Sequence, residues 1–236
     1  MSEAAVAAAP KSGAAREALD ADRVVAKVAR RLVPFLVTAF IVAYLDRVNI
    51  GFAALTMNAE LGFTPDFFGW AAGVFFVGYC LFEAPSNYIM HRVGARIWIA
   101  RIMVSWGLVS ALTAFIWNEA SFVVLRLLLG VMEAGFAPGV ILYLTYWIPA
   151  AQRARVLASF LIAVPLASAI GSPISGFILA SLNGVGGISG WRWLFLMEAL
   201  PSIILGVVCF FYLPDGPQSA KWLTSGEKAS LRAVLE

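Results

Sequence analysis

Charged side chains are scarce in this sequence. Asp, Glu, Lys and Arg make up 13% of its 236 residues, whereas 61% of the residues are hydrophobic. Soluble domains carry roughly 25% charged residues, so a chain of this composition cannot cover its surface with polar groups in water. The composition excludes an ordinary soluble domain and indicates a protein that folds in lipid.

The sequence also lacks the motifs that are typical of enzyme active sites. The chain has one histidine, His91, and two cysteines, Cys80 and Cys209, both within apolar stretches. No nucleophile with a base, phosphate-binding glycine loop or metal-ligand spacing is present in the sequence. The net charge of +3 is spread over loops rather than gathered on one domain, which argues against a nucleic-acid partner. We therefore predict that the protein is not an enzyme and has no metal or cofactor.

What the sequence does contain is long apolar blocks. Each has about the 20 residues that are needed to cross a hydrocarbon layer of roughly 30 Å. Because lipid offers no hydrogen-bond partners, the backbone of such a block is expected to be helical. We predict an all-α integral membrane protein with six transmembrane helices, over residues 32–55, 67–90, 97–117, 121–147, 156–179 and 193–213.

The basic residues predict the orientation and the domain boundaries. They fill the amino-terminal tail, the second and fourth connections and the carboxyl-terminal segment, and the positive-inside rule then places both termini in the cytoplasm. Residues 1–31 are predicted to be a cytoplasmic tail, with residues 1–18 disordered and an amphipathic basic segment after them that faces anionic lipid headgroups. Residues 32–213 are the bundle, and residues 214–236 begin a cytoplasmic linker.

Six ionisable residues lie inside the predicted spans. Each costs about 2.5 to 3.5 kcal/mol at a helix centre, so each needs a partner or a function. Glu83 and Glu198 lie near prolines, which favours a structural role for them. The other four are Asp46, Arg47, Arg126 and Glu133.

These four residues lie at matching depths. At 1.5 Å per residue, Asp46 and Arg47 are roughly 12 to 14 Å below the outer end of the first span. In the fourth span, Arg126 lies nearer to the outer end than this depth and Glu133 lies deeper. We predict the couples Asp46 with Arg126 and Arg47 with Glu133, although exchanged partners are equally compatible with the spacing. The arginines are suited to bind a carboxylate, and the acids can take up and release protons.

Two tyrosines share these helices. Tyr44 lies one turn before Arg47, and Tyr79 lies near the middle of the second span. A phenol in a cavity can bind a polar substrate, but ordinary packing explains both residues equally well.

Four stretches carry a family resemblance. They are YLDRVNIGFA in the first span, FEAPSNYIMHRVGARIWIARI from the second to the third, RLLLGVMEAGFAPGVILYLTYWIP in the fourth and WRWLFLMEALPS in the sixth. In combination they resemble the anion:cation symporter family of the major facilitator superfamily. The loop from Asn87 to Arg96 is similar to the superfamily signature GxxxDRxGRR, with Arg92, Gly94 and Arg96 matching. It departs at Asn87 and His91, where Gly and Asp are usual, so the expected acidic residue of this gating loop is missing.

The resemblance implies proton-coupled symport of a small organic anion by alternating access, with protons as the coupling ion. On that pattern Arg47, Arg126, Tyr44 and Tyr79 would bind substrate, and Asp46 and Glu133 would carry the protons. It also implies three-plus-three helix repeats and a bacterial inner membrane location. Family members have twelve spans, so a second six-helix bundle is the implied partner. The alternatives are an inactive truncated fragment, an assembly subunit, or a proton-independent uniporter.

Overall fold

A computed structural model describes the backbone of residues 9–235 and the side chains of residues 20–235. Within those residues the chain is all-helical, with two short 3₁₀ turns. Its α-helices are α1 (Ala9–Leu61), α2 (Pro65–Val93), α3 (Ala95–Thr113), α4 (Glu119–Glu133), α5 (Phe136–Thr145), α6 (Ala150–Ser181), α7 (Gly190–Tyr212) and α8 (Ser225–Leu235). Six segments are long and apolar enough to cross a membrane, with α4 and α5 together forming the fourth. The predicted all-α, six-span architecture is confirmed.

Helix α1 is longer than the first predicted span. It runs without interruption from Ala9, so residues 9–18 are helical and not the predicted disordered tail, while residues 1–8 lie outside the described part of the chain. The basic segment continues the first span in the same helix. Its apolar side, which includes Val24 and Val28, is buried in a cluster with Leu223 and Leu231 of the carboxyl-terminal segment. This burial explains why the helix continues beyond the apolar span.

The fourth span is not the single helix that the sequence predicts. It breaks after Glu133, where Ala134 is extended and Gly135 has a φ of 86° and a ψ of −2°. Only glycine adopts this left-handed conformation at low cost, and a Cβ at Gly135 would overlap the Ser86 hydroxyl. The break places Glu133 at a helix end in the middle of the bundle.

The helices pack in three principal pairs. α3 packs against α7, α2 against α4, and α1 against α6. In a three-plus-three repeat, a two-fold rotation exchanges the first span with the fourth, the second with the fifth and the third with the sixth. Such a rotation would turn the α2–α4 pair into the α6–α1 pair and would leave the α3–α7 pair unchanged. The pairing therefore has the pattern expected of three-plus-three repeats.

The buried apolar residues form two clusters, and a polar layer lies between them. One cluster gathers residues near the two chain ends, such as Leu32 and Leu213, and the other gathers residues near the opposite end of the bundle, such as Met57 and Trp191. Along the helices, the buried polar residues Asp46, Ser110, Arg126, Ser175 and Glu198 fall between members of the two clusters. The ionisable side chains are therefore concentrated near the middle of the bundle.

Candidate functional site

An ion pair joins α1 to the end of α4. The guanidinium of Arg47 donates to Glu133 Oε1 from Nε at 2.7 Å and from Nη2 at 2.6 Å. The Glu133 side chain is 1% exposed and the Arg47 side chain is 25% exposed. The predicted couple of Arg47 with Glu133 is confirmed, and Arg47 is the member that incoming solute can reach.

Three aromatic rings surround the Arg47 guanidinium. Its central carbon lies 5.2 Å from the ring centroid of Tyr44, 5.1 Å from that of Tyr79 and 5.6 Å from that of Phe75. At these distances each ring attracts the cation through its negative face. Both predicted tyrosines therefore lie beside the predicted anion-binding arginine.

Phe75 is a site residue that the sequence did not indicate. Its ring centroid lies 5.2 Å from the central guanidinium carbon of Arg126, so it contacts both arginines of the site. Arg126 is 6% exposed and donates from Nη2 to the carbonyl oxygen of Ala72 at 3.3 Å. Phe75 thus lies against both cations, and the Glu133 carboxylate interacts electrostatically with each of them.

The predicted couple of Asp46 with Arg126 is formed only in part: no ion pair within 4 Å joins them among the described residues, but the two charges are close enough to attract each other. Asp46, which is 2% exposed, accepts a hydrogen bond from the hydroxyl of Ser110 on α3 and a longer one of 3.4 Å from Asn49. Adjacent residues of a helix point about 100° apart, so Arg47 faces α2 and α4 while Asp46 faces α3. Helical depth, on which the prediction rested, does not determine this rotation.

Three atoms of the site have no hydrogen-bond partner among the described residues. They are Asp46 Oδ2, Arg126 Nε and Glu133 Oε2. Buried polar atoms are normally paired, so the site has spare capacity for both a proton and an anion. The two oxygens can be satisfied by protonation, and the guanidinium nitrogen can be satisfied by a carboxylate.

Two glycines allow α2 and α4 to cross closely enough to assemble this site. A Cβ at Gly78 would lie 2.5 Å from the carbonyl oxygen of Leu127, and a Cβ at Gly130 would overlap the carbonyl oxygen of Phe75. With small residues, helix backbones approach directly. The crossing brings Phe75 and Tyr79 against the turns that carry Arg126 and Glu133.

Glu198 belongs to the same polar layer and is linked to Asp46 through Asn49. Its Oε1 accepts a hydrogen bond of 2.7 Å from Ser175 on α6, and one turn further along α7 Ser202 accepts from the Trp106 indole at 3.1 Å. These bonds tie α7 to α6 and α3, which agrees with the structural role predicted for Glu198.

The predicted gating loop contacts the segment after α7. Gly94 has a φ of 101°, and Asp215 accepts a hydrogen bond of 3.0 Å from the backbone N–H of Arg96. The same carboxylate lies 3.5 Å from Nε of Arg96, while Arg92 lies over the ring of Tyr88. Asp215, which the sequence placed in a linker, is thus an acidic residue in direct contact with this loop.

We expect Asp215→Ala to loosen this connection. The pair is more than a third exposed, so the stability loss should be no more than about 1 kcal/mol, but the linker should open more often. Limited trypsin digestion should therefore cleave faster at Lys221 and Lys228. Asp215→Asn keeps the oxygen that accepts from Arg96 and should show a smaller increase; equal rates in all three proteins would contradict the contact.

Comparison with known proteins agrees with this architecture. The model of the Major Facilitator Superfamily matches residues 36–235. The chain is 57% identical over 206 residues to a putative tartrate transporter of Agrobacterium vitis, which covers 87% of this chain and 46% of the relative. It is 53% identical over 209 residues to the putative metabolite transport protein NicT of Pseudomonas putida, covering 89% and 48% of the two chains. The chain spans about half the length of the curated relatives it matches.

Solved structures show the same fold. One is a bacterial homologue of the human lysosomal transporter Spinster, in an inward-facing and occupied conformation. It superposes with a TM-score of 0.72 at 16% sequence identity, and the match covers 83% of this chain and 46% of that one. The xylose transporter XylE from E. coli, in an inward-open conformation, gives 0.64 at 17% identity, over 86% and 51%. The matched model, the similar transporters and the six-span bundle agree, and the chain belongs to the major facilitator superfamily.

Proposed function

We propose that this multi-pass membrane protein supplies half of a carrier that moves a small organic anion together with protons. The observation that carries the proposal is the Arg47–Glu133 ion pair close to Arg126, whose guanidinium interacts electrostatically with Glu133 but has no direct ion-pair partner among the described residues. A second six-helix bundle would complete the cavity, as in carriers built from two halves. In this proposal the protein lies in a bacterial inner membrane and both of its termini are in the cytoplasm.

The geometry suggests how anion and proton movements are coupled. A substrate carboxylate that binds the guanidinium of Arg47 competes with Glu133 for the same donors. Once displaced, the carboxylate of Glu133 would be buried without a partner, and protonation removes that cost. Anion binding at Arg47 and proton binding at Glu133 therefore favour each other. Asp46, with one unpaired oxygen near Arg126, is proposed as the second proton carrier.

The relatives suggest the substrate class. The names of the two bacterial relatives refer to tartrate and to a metabolite. A dicarboxylate such as tartrate could place one carboxylate on Arg47 and the other on Arg126, on the two sides of Phe75. Planar guanidinium groups bind carboxylates through two parallel hydrogen bonds, which gives this arrangement its preference for acids over neutral sugars.

Uptake measurements test the proposal. We expect cells that co-produce this chain with the carboxyl-terminal bundle of a full-length relative to take up labelled tartrate faster at acid external pH. Collapsing the proton gradient should abolish the acceleration. Glu133→Gln should remove the pH dependence, whereas Glu119→Gln, on the exposed start of the same helix, should not.

The alternatives give different results in the same assay. A proton-independent uniporter would show uptake that ignores the gradient. An inactive fragment or assembly subunit would show no uptake above cells that contain the carboxyl-terminal bundle alone. Unchanged, pH-dependent uptake by the Arg47→Gln variant would contradict the assigned site.

A further inference from the structure

A cavity lined by four cations lies at the end of the bundle that carries both chain ends. Its volume is about 590 Å³, within the range of small-ligand pockets. No acidic side chain lines it. The lining residues are Arg23, Ala26, Lys27, Arg30, Arg31 and Trp222.

The cavity lies between α1 and the segment that precedes α8. The apolar side of the helical segment is buried against the carboxyl-terminal segment, so its basic side is exposed and lies next to Trp222. The indole is stacked on Trp147 at a centroid distance of 5.9 Å and is fixed in position by it. The cavity is therefore a tertiary feature with a rigid aromatic wall, and a basic helix lying flat on a membrane would not form it.

The four cations differ in how far they are already neutralised. Lys27 donates to Glu227 at 2.7 Å, and this hydrogen bond holds the pKa of the Glu227 carboxyl below its ordinary value, so that carboxyl is ionised at neutral pH. Arg23 lies 3.6 Å from the exposed Asp20. Within the described residues the Arg31 guanidinium makes ring contacts and no ion pair, with its central carbon 5.0 Å from the Trp222 centroid and 5.4 Å from that of Tyr212. For Arg30 no ion pair or ring contact is recorded within residues 20–235, so two guanidinium groups remain uncompensated.

The position of the cavity identifies its ligand. Arg30 and Arg31 directly precede Leu32, where the apolar part of α1 begins, and Arg23 is about 12 Å further out along the helix. The cavity therefore covers the headgroup layer, which extends roughly 5 to 8 Å beyond the hydrocarbon on each side. Guanidinium groups bind phosphate oxygens in pairs, and indole rings favour this layer.

We propose that this cavity binds the phosphodiester headgroup of an anionic membrane lipid, with Arg30 and Arg31 on the phosphate and Trp222 against the glycerol backbone. The lipid would connect α1 to Trp222, in the segment that precedes α8, and so fix the linker to the bundle. A free phosphate ion offers the same oxygens but lacks acyl chains that could extend along the apolar start of α1. The proposal does not depend on the transport function.

Lipid titration of the purified chain in neutral detergent tests the site. Native mass spectrometry would count bound molecules of phosphatidylglycerol, phosphatidylcholine and inorganic phosphate. We expect one saturable phosphatidylglycerol, weaker binding of phosphatidylcholine and no competition from millimolar phosphate. Each of Arg30→Gln and Arg31→Gln should weaken phosphatidylglycerol binding about five-fold, since a basic residue near a membrane surface is worth about that factor.

Arg155→Gln is the matched control, because Arg155 is an exposed arginine at the start of α6 outside the cavity. It should leave phosphatidylglycerol binding unchanged. The Arg30 side chain makes no hydrogen bond, ion pair or ring contact within the described residues. Its replacement should therefore leave the melting temperature of the lipid-free protein unaltered. Equal weakening by Arg155→Gln would show attraction to diffuse surface charge, and displacement of lipid by phosphate would show a free-anion site. Either result, or binding unchanged in the Arg30 and Arg31 double variant, would overturn the proposal.

Discussion

Replacing Arg47 by Gln should lower the free energy of unfolding by about 3 to 5 kcal/mol at neutral pH. The substitution leaves the carboxylate of Glu133, which is 1% exposed, without its only direct ionic partner among the described residues. Breaking a buried ion pair from one side has a cost of this size, because an uncompensated charge remains. Denaturant titration of the purified chain in detergent at pH 7.5 measures the loss.

The double variant Arg47→Gln with Glu133→Gln distinguishes this cause from simple loss of packing. It has no unpaired charge and should regain most of the stability that the single variant loses. The loss in Arg47→Gln should also become smaller at acid pH, where the carboxyl group can take up a proton. Arg23→Gln, which breaks the exposed pair with Asp20, should change stability by less than 1 kcal/mol. A double variant no more stable than Arg47→Gln would show that Arg47 acts mainly through its contacts with the surrounding rings.

Gly130→Ala should be the most damaging single-methyl substitution in the bundle. The new Cβ would overlap the carbonyl oxygen of Phe75 and lie 2.9 Å from the backbone nitrogen of Tyr79, so α2 and α4 must separate. Overpacking of this kind costs about 1 to 3 kcal/mol, and here the clashing atoms belong to a backbone that cannot rotate away. Thermal unfolding should show a clearly lower melting temperature, and anion binding should weaken because Phe75 and Tyr79 move.

Gly176→Ala is the control for this prediction. Gly176 also lies within a long helix, but a Cβ there would meet no atom within 4 Å. Alanine is a better helix former than glycine, so this variant should be as stable as the parent or slightly more stable. Similar melting temperatures for the two variants would mean that the α2–α4 crossing adjusts easily and does not hold the site.

Much of the fold follows directly from the sequence. Apolar blocks of membrane-spanning length predict six helices, and the depths of Arg47 and Glu133 are compatible with their pairing, although exchanged partners fitted the spacing equally well. The break in the fourth span was not predicted, because glycine and proline also occur in continuous membrane helices. At the break, Gly135 lies so close to Ser86 on another helix that a Cβ there would overlap the Ser86 hydroxyl.

The parts of the site that were missed depend on rotation and on contacts distant in sequence. Asp46 and Arg47 are neighbours, yet they face different helices, and helical depth alone does not separate these directions. Phe75 is an aromatic residue in an apolar helix and looks like ordinary packing until the arginines on both of its sides are seen. Asp215 is 119 residues from Arg96, and no local pattern indicates that contact.

The claim on which the account depends is that Arg47 and Arg126 together bind a carboxylate substrate. Thermal unfolding of the purified chain with increasing tartrate tests it most directly, since a ligand that binds only the folded state raises the melting temperature with concentration. We expect such a rise for the parent chain, none for Arg126→Gln and none with a neutral sugar. An equal rise in the parent and the Arg126→Gln variant would contradict the claim.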